Sequence, residues 1–149
     1  MRREHRKAMA RRLAELAGRA ETSAYAFAAL RIVAGALFSF HGMQKLFGWP
    51  QGGHTVPLLT QLGAAGVIEL GCGVLVAVGL FVRPAAFLAS GEMAVAYFQG
   101  HWKLHFANDA WLPVVNRGEL AVIYCFLFLF IAAHGAGVAS LDAARRRRS

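Results

Sequence analysis

Cysteine is scarce in this sequence, which has only Cys72 and Cys125 among its 149 residues. Both lie inside apolar runs rather than in loops, and they do not form a CxxC motif. Neither a secreted disulfide framework nor a CxxC redox site is therefore predicted, and both side chains are expected to be buried free thiols. They could act as a redox couple only if their Cα atoms came within about 7 Å of each other.

Cofactor motifs are also lacking, since the sequence shows no haem, flavin, Walker or Rossmann pattern. His101, His105 and Asp109 fall at i, i+4 and i+8, a spacing that would place three metal ligands on one face of a continuous helix. Asn108 and Asp109 favour a turn, however, so we expect a solvated interfacial loop here and predict no metal site.

Charged residues make up 16% of the chain against 57% hydrophobic residues, and the mean hydropathy is +0.45. This balance is too apolar for an ordinary soluble domain. The net charge of +8 is concentrated at the ends, because residues 1–24 hold seven Lys or Arg and three acids, and residues 145–148 are all arginine. A nucleic-acid-binding face needs basic residues on the folded body, so we expect membrane lipid as a partner and no nucleic acid.

Four apolar runs are each long enough to cross a hydrocarbon core of roughly 30 Å at about 1.5 Å per residue. They cover about residues 24–47, 62–82, 84–101 and 118–139. We therefore predict an all-α fold, with an integral membrane four-helix bundle over residues 24–140. The basic segment 1–23 precedes it, as an amphipathic helix on anionic lipid or as a disordered tail, and the basic tail 141–149 follows it.

The distribution of Lys and Arg predicts the orientation of the bundle. Four spans put both termini on one side, together with the turn that holds Arg83, and all three segments are basic. This side is therefore expected to be cytoplasmic. The loops on the other side carry all three tryptophans, Trp49, Trp102 and Trp111, as expected of an interfacial aromatic belt.

Seven polar side chains lie within or at the edges of these spans. They are Arg31, His41, Gln44, Lys45, Glu69, Glu92 and Glu119. A charge near the bilayer centre costs roughly 2.5–3.5 kcal/mol on insertion scales, so such residues face protein or water and find partners. Small residues share the helical faces of Glu69 and Glu92, which predicts that both acids point into the bundle.

Two interpretations of this polar set remain open. In the first, Arg31, Lys45 and Arg117 neutralise the three glutamates, and the set only holds the helices together. In the second, the set binds a small polar head group such as a quinone carbonyl. His41 and Gln44 would then donate hydrogen bonds and Glu69 would accept a proton.

The chain resembles the DoxX family over about residues 26–143. The resemblance rests on Leu30-Arg31, His41-Gly-Met-Gln-Lys-Leu-Phe-Gly48, Ile68-Glu-Leu-Gly-Cys-Gly73, Gly79-Leu-Phe-Val-Arg83, Asn116-Arg-Gly-Glu-Leu-Ala121 and Ser140-Leu-Asp142. The matching motif residues are Arg31, His41, Gln44, Lys45, Glu69, Gly71, Gly73, Arg83, Asn116, Gly118 and Glu119. Two features depart from the family pattern: the arginine-rich N-terminal tail lies outside the match, and no soluble oxidoreductase domain is fused to the chain.

The resemblance implies a small multi-pass protein of a bacterial inner membrane. Such proteins are related to quinone-reducing membrane subunits of thiosulfate oxidation, whereas other relatives resemble cargo receptors or assembly factors. We therefore expect a quinone-linked membrane subunit of a redox complex, with electrons supplied by a separate redox partner protein. The alternative is a non-enzymatic scaffold or assembly factor, followed by a proton pathway or small transporter. Whether the chain is itself an enzyme, and whether it forms homo-oligomers, stays open.

The residues expected to act in the quinone interpretation fall into two groups. His41 and Glu69 are the candidate catalytic residues. Arg31, Gln44, Lys45, Glu92, Asn116 and Glu119 are the candidate quinone-binding residues.

Overall fold

The computed structural model describes residues 2–50 and 52–148, apart from the side chains of Arg2, Glu4, His5, Ala8 and Ala10. Met1 of the predicted N-terminal segment and Ser149 of the predicted tail lie outside the described residues. The described residues form helices and turns without a strand, which confirms the all-α class. The elements are α1 (Arg2–Phe47), α2 (Gln61–Val78), α3 (Val82–Val95), a π-helix (Ala96–Trp102), a 3₁₀ turn (Ala107–Asp109), α4 (Pro113–Asn116), α5 (Glu119–His134) and α6 (Leu141–Arg146).

The first helix is much longer than the first predicted span. Its 46 residues extend about 69 Å at 1.5 Å per residue. It is continuous through residue 24, where we expected the N-terminal segment to meet the bundle. Met9, Leu13 and Leu16 are exposed on the N-terminal segment, where they could contact lipid. Since α1 is continuous, the helix would have to bend for this segment to lie along a membrane surface while the rest of α1 crosses it. The lipid-bound amphipathic helix stays a prediction.

Two helical stretches are long and apolar enough to cross a membrane, Arg11–Phe47 and Gln61–Val78. Glu119–His134 is a shorter apolar helix. Helices α3 and α5 correspond to the third and fourth predicted spans, but with 14 and 16 residues each is shorter than a full span, so the prediction of four membrane-spanning helices stays a prediction. Helix α5, in the fourth predicted span, ends at His134 rather than near residue 139, because Gly135 adopts a positive φ of 93°.

The turn between α2 and α3 begins about four residues earlier in the sequence than predicted. Helix α2 ends at Val78, because Gly79 adopts the left-handed conformation with φ of 76° and its N–H bonds to carbonyls of the last turn. Helix α3 then begins at Val82, two residues before Pro84. Its exposed first N–H groups are capped by Asp142, whose carboxylate oxygens lie 3.1 and 3.2 Å from the nitrogens of Phe81 and Val82.

Helices α1 and α2 approach each other closely through glycines. A Cβ atom built on Gly73 would lie 2.7 Å from the carbonyl oxygen of Gly35, and one built on Gly35 would lie 2.6 Å from the carbonyl oxygen of Gly73. Helix α3 packs on α2 and on α5. Phe38 of α1 closes the bundle against α5, with ring centroids 4.6 Å from Phe128 and 5.5 Å from Tyr124.

Candidate binding groove and acid cluster

An ion pair links the first two helices near the C-terminal end of α1. The ammonium nitrogen of Lys45 lies 2.6 Å from Oε1 of Glu69. The pair joins Lys45 of the His41 to Gly48 motif to the acid of the next motif. This contact agrees with the prediction that Glu69 faces its neighbours, and Glu69 is only 2% exposed.

The second acid of the cluster, Glu92, comes from α3. The charges of Glu69 and Lys45 both act on it, which places the three side chains in one electrostatic cluster. Oε2 of Glu69 and Oε2 of Glu92 are buried, and neither has a hydrogen-bond partner among the described residues. A buried acceptor without a partner costs about 1–3 kcal/mol, so each of these two atoms is a position where a ligand or a proton would be favoured.

A groove of about 800 Å³ lies between α2 and the joined α3 and π-helix. Lys45 and Glu92 contribute charged groups to its wall. The rest of the lining is mainly apolar or small: Leu62, Ala64, Ala65, Ile68, Phe87, Leu88, Gly91, Val95, Ala96 and Gly100, with Gln61, Gln99 and His101. Phe87 and Leu88 are exposed, so the rim of the groove is apolar as well. An elongated apolar molecule with a small polar head matches this distribution of groups.

The π-helix forms part of this groove. Helix α3 changes to the wider π-helical winding at Ala96, four residues after Glu92, and continues so to Trp102. Gln99 and His101 of this segment line the groove, and Gln99 accepts a hydrogen bond from Gln61 of α2 across it. Stretches of π-helix occur frequently at functional sites, where they re-aim side chains.

His41 lies outside the groove. Its imidazole packs edge-on against Tyr124 of α5, with centroids 6.3 Å apart. His41 therefore contacts α5 rather than the groove. Gln44 is half-buried on α1 and does not line the groove. The structure thus separates His41 and Gln44 from the groove to which Lys45 and Glu92 contribute.

Arg31 is fully buried at the opposite end of the bundle, far along α1 from Lys45. Its guanidinium donates hydrogen bonds to the carbonyl oxygens of Val76 and Ala77 at the end of α2 and to that of Ala139. A cation at a helix C-terminus satisfies free carbonyl groups and interacts favourably with the helix dipole. Arg31 therefore connects α1, α2 and the segment after α5, and it does not line the groove.

The polar groups of the second long loop also serve local structure. Asn116 donates to the carbonyl oxygen of Ala110 at 2.9 Å and accepts from the N–H of Gly118 at 2.8 Å. Glu119 is exposed in the first turn of α5, and Arg117 is exposed with φ of 59°. Among the described residues, Arg31 and Arg117 form no ion pair with a glutamate, so the predicted neutralisation of three acids reduces to the pair of Lys45 and Glu69.

The three possible metal ligands of the loop do not share one helix face. His101 lies in the last turn of the π-helix, which ends at Trp102, and the chain then turns through Lys103 and Leu104, which both have positive φ. His105 and Asp109 follow in a turn and in the 3₁₀ segment. Within residues 2–50 and 52–148, no group of three His, Cys, Asp or Glu side chains is placed to hold a metal.

The cysteines are both free thiols. Cys72 is buried near the acid cluster, and the charge of Glu92 acts on its thiol. Cys125 is only half-buried, so its predicted burial is wrong. It lies on α5 beside Ser90 of α3, whose hydroxyl donates to the Cys125 carbonyl oxygen at 2.8 Å.

Two positions at or near the candidate site were missed by the sequence analysis: Tyr124 and Gln99. Tyr124 is the one polar aromatic residue in the otherwise apolar run of α5, and this contrast could have drawn attention to it. Gln99 carries no comparable signal, and the capping role of Asp142 was not predicted, although Asp142 belongs to the Ser140-Leu-Asp142 motif. Their roles depend on partners 38 and 61 residues away in the chain.

Comparison with known proteins agrees with the resemblance noted from the motifs. The sequence profile of the DoxX family matches residues 26–102. An uncharacterized protein of Haemophilus influenzae is 42% identical over 123 residues, which cover 79% of this chain and 89% of that protein. No solved structure matches the chain.

Proposed function

The chain belongs to the DoxX family of membrane-associated proteins, and we propose that it is a membrane subunit that binds a quinone in the groove between α2 and α3 and serves a redox assembly. The observation that carries this proposal is the orphaned carboxylate oxygen of Glu92 beside the Lys45 ammonium, at the wall of an apolar groove.

The groove fits a quinone in size and chemistry. Small-molecule sites typically measure roughly 300–1,000 Å³ and combine an apolar lining with a few polar groups. The apolar rim of Phe87 and Leu88 suits an isoprenoid tail, and the Lys45 ammonium is a donor for a carbonyl oxygen of the head group. When bound, a quinone takes up two electrons and two protons to give the quinol, and the electrons come from a separate redox protein.

The residues of the chain have distinct parts in this proposal. Glu69 holds Lys45 in place through the 2.6 Å ion pair. Glu69, Glu92 and Lys45 together would carry one excess negative charge if all were ionised, which a low-dielectric interior penalises. A proton held on Glu92 removes this excess, so Glu92 is the proton-exchanging group at the groove. The sequence predicts His41 and Glu69 for this exchange, but neither residue lines the groove. Glu69 instead positions Lys45, and His41 packs against Tyr124.

We further propose a setting for this activity: a multi-pass four-helix bundle in a bacterial inner membrane, with both termini in the cytoplasm. The basic tails and Arg83 support this orientation through the distribution of Lys and Arg. The groove then lies toward the outer leaflet, because Lys45 and Gln61 flank the loop that carries Trp49.

Quinone retention tests the site directly. Gly91 lines the groove, and a Cβ there meets nothing within 4 Å, so a side chain can start from this position and Gly91→Trp is expected to fill the groove. Gly71 is equally open but lies outside the groove, which makes Gly71→Trp the matched control. We expect solvent extracts of purified wild type and Gly71→Trp to contain quinone and those of Gly91→Trp to contain none. Wild type without quinone, or equal retention in both variants, would contradict the site.

Proton exchange is tested separately in the native complex. Glu92→Gln keeps the shape of the side chain but removes its exchangeable proton, and quinone reduction should fall by about a hundredfold. Glu119→Gln removes an exposed acid and should leave the rate unchanged. Equal rates for Glu92→Gln and wild type would rule out Glu92 as the proton-exchanging group.

A non-enzymatic scaffold is the second candidate, and one specific observation favours it. The motif residues Arg31, Arg83 and Asp142 all cap helix ends, with Arg83 donating to the carbonyl oxygens of Ala132 and Ala133. Much of the family motif can therefore be explained by the fold alone. A protein that lacks quinone yet co-purifies from native membranes with a stable partner assembly would support this candidate.

A further inference from the structure

A second cleft, of about 980 Å³, lies at the end of the bundle opposite the acid cluster. We call it the arginine cleft. Its walls come from α1, the start of α3, the loop after α5, and α6. The lining residues used below are Ser23, Ala24, Phe27, Phe81, Arg83, Pro84, His134, Asp142 and Arg145.

The charge of the arginine cleft is predominantly positive. Arg83, Arg145 and Arg146 line it, and Asp142 is its acid. The Asp142 oxygens already accept hydrogen bonds from the N–H groups of Phe81 and Val82. Arg83 and Arg145 alone already outnumber the Asp142 carboxylate in the lining of the cleft.

Arg145 is the cation best placed to meet a ligand. Its guanidinium carbon lies 5.6 Å from the ring centre of Phe81, and its side chain is exposed. Among the described residues, the Arg145 guanidinium has no hydrogen bond and no acidic partner. Arg83 differs, because its guanidinium donates to carbonyl oxygens at the end of α5.

Beside these cations the cleft has a broad apolar wall. The ring of Phe27 stacks against His134 with centroids 3.8 Å apart, and Pro84 and the exposed ring of Phe81 continue the surface. A free phosphate ion would leave this wall uncovered. An amphiphile with an anionic head would cover both parts at once.

We propose that the arginine cleft binds the phosphate group of an anionic phospholipid, with Arg145 as the main ligand and an acyl chain along the wall formed by Phe27 and Pro84. The cleft lies where the apolar part of α1 begins and α5 ends, which is the level of lipid head groups if these helices cross a membrane. Basic sites at the cytoplasmic ends of membrane helices recognise anionic head groups. Arginine is suited to phosphate because its planar donors form charge-assisted hydrogen bonds.

The charge is tested by native mass spectrometry of the full-length protein in detergent with short-chain phosphatidylglycerol. Arg145→Ala should weaken lipid retention by about tenfold, the effect of losing one charge-assisted hydrogen bond. Arg147→Ala removes the same charge from the same tail but does not line the cleft, so its retention should match wild type. If both variants lose the lipid equally, general attraction to the tail explains binding and the proposal is overturned.

The shape of the cleft is tested without changing any charge. Ala24 lines the cleft, whereas Ala29 is exposed elsewhere on α1, so Ala24→Trp should abolish retention of phosphatidylglycerol and Ala29→Trp should preserve it. Thermal melts in detergent check that each variant is folded like wild type. If Ala24→Trp melts at a lower temperature, Ser23→Leu replaces it, because Ser23 lines the same wall, and it should also weaken retention of phosphatidylglycerol.

Two further probes separate the sources of the phosphate group. Short-chain phosphatidylcholine should bind at least tenfold more weakly than phosphatidylglycerol, and equal binding would overturn the requirement for an anionic head. Inorganic phosphate should fail to displace phosphatidylglycerol at equal concentration. Displacement would assign the arginine cleft to a soluble phosphate and overturn the lipid.

Discussion

Lys45 and Glu69 form an ion pair whose two partners differ in their access to the surroundings: the lysine side chain is 30% exposed, whereas the glutamate side chain is 3% exposed. The long stem of Lys45 can carry its ammonium outward when its partner is lost. The Glu69 carboxylate has no such route. The pair is therefore asymmetric, and the consequences of breaking it depend on which partner is removed.

The first prediction follows from this asymmetry. Lys45→Met leaves the Glu69 carboxylate buried with no cation, which should cost about 3–5 kcal/mol of unfolding free energy. Glu69→Gln keeps a hydrogen-bonding group beside a lysine that can move outward, so about 1 kcal/mol is expected. Thermal melts in detergent measure both, and the double variant Lys45→Met with Glu69→Leu should recover most of the loss. A Glu69→Gln melt as low as that of Lys45→Met would show that the exposure of Lys45 does not relieve its charge.

The second prediction concerns two glycines in one motif. Gly73→Ala would place its Cβ 2.7 Å from the Gly35 carbonyl oxygen, so α1 and α2 must separate and stability should fall by about 1–3 kcal/mol. A Cβ on Gly71 meets nothing within 4 Å, and alanine there should stabilise the helix by about 0.5–1 kcal/mol. The two variants should thus shift the melting temperature in opposite directions. Equal shifts would contradict the glycine contact between α1 and α2.

The part of this arrangement that the sequence could predict is the part encoded by helical periodicity. Glu69 lies on the same face of α2 as Gly66 and Gly73, so its inward orientation and its closely packed neighbour could be expected. The structure agrees, and the pairing with Lys45 needed only similar depths in the bundle.

The role of Arg31 could not be predicted in the same way. Its partners are backbone carbonyl oxygens, which every residue has and which therefore leave no mark in the sequence. The sequence shows side-chain charges and not backbone partners, so the glutamates are the partners that the sequence indicates for Arg31. The start of α3 was missed for a related reason, since Asp142 caps it from 60 residues away. The groove itself depends on how α3 and its π-helical extension sit against α2, which no single-helix pattern specifies.

The third prediction tests the structural role of Arg31. Arg31→Ala removes donors from three carbonyl groups at a fully buried position and should cost about 3 kcal/mol or more. Arg31→Lys keeps the charge, but an ammonium lacks the planar fork that reaches both α2 and Ala139, so an intermediate loss is expected. Arg19→Ala, at an exposed position of the same helix, is the control and should melt like wild type. If Arg31→Lys retained full stability, the bridging geometry would be unimportant.

The fourth prediction concerns orientation. Segments rich in Lys and Arg stay in the cytoplasm when a chain inserts, and here the basic tail that contains Arg145 to Arg148 lies at the same end of the bundle as Arg83. A fluorescent reporter that folds only in the cytoplasm should therefore be active when fused after Ser149. A reporter that requires export should be active when inserted after Gly53, in the loop beyond α1. Changing all four residues from Arg145 to Arg148 to glutamine should lower the preference for this orientation. It should not abolish the preference, because the N-terminal segment carries a second set of basic residues. An exported reporter after Ser149 would invert the assignment, place the arginine cleft at the outer leaflet and remove the orientation argument for an anionic lipid there.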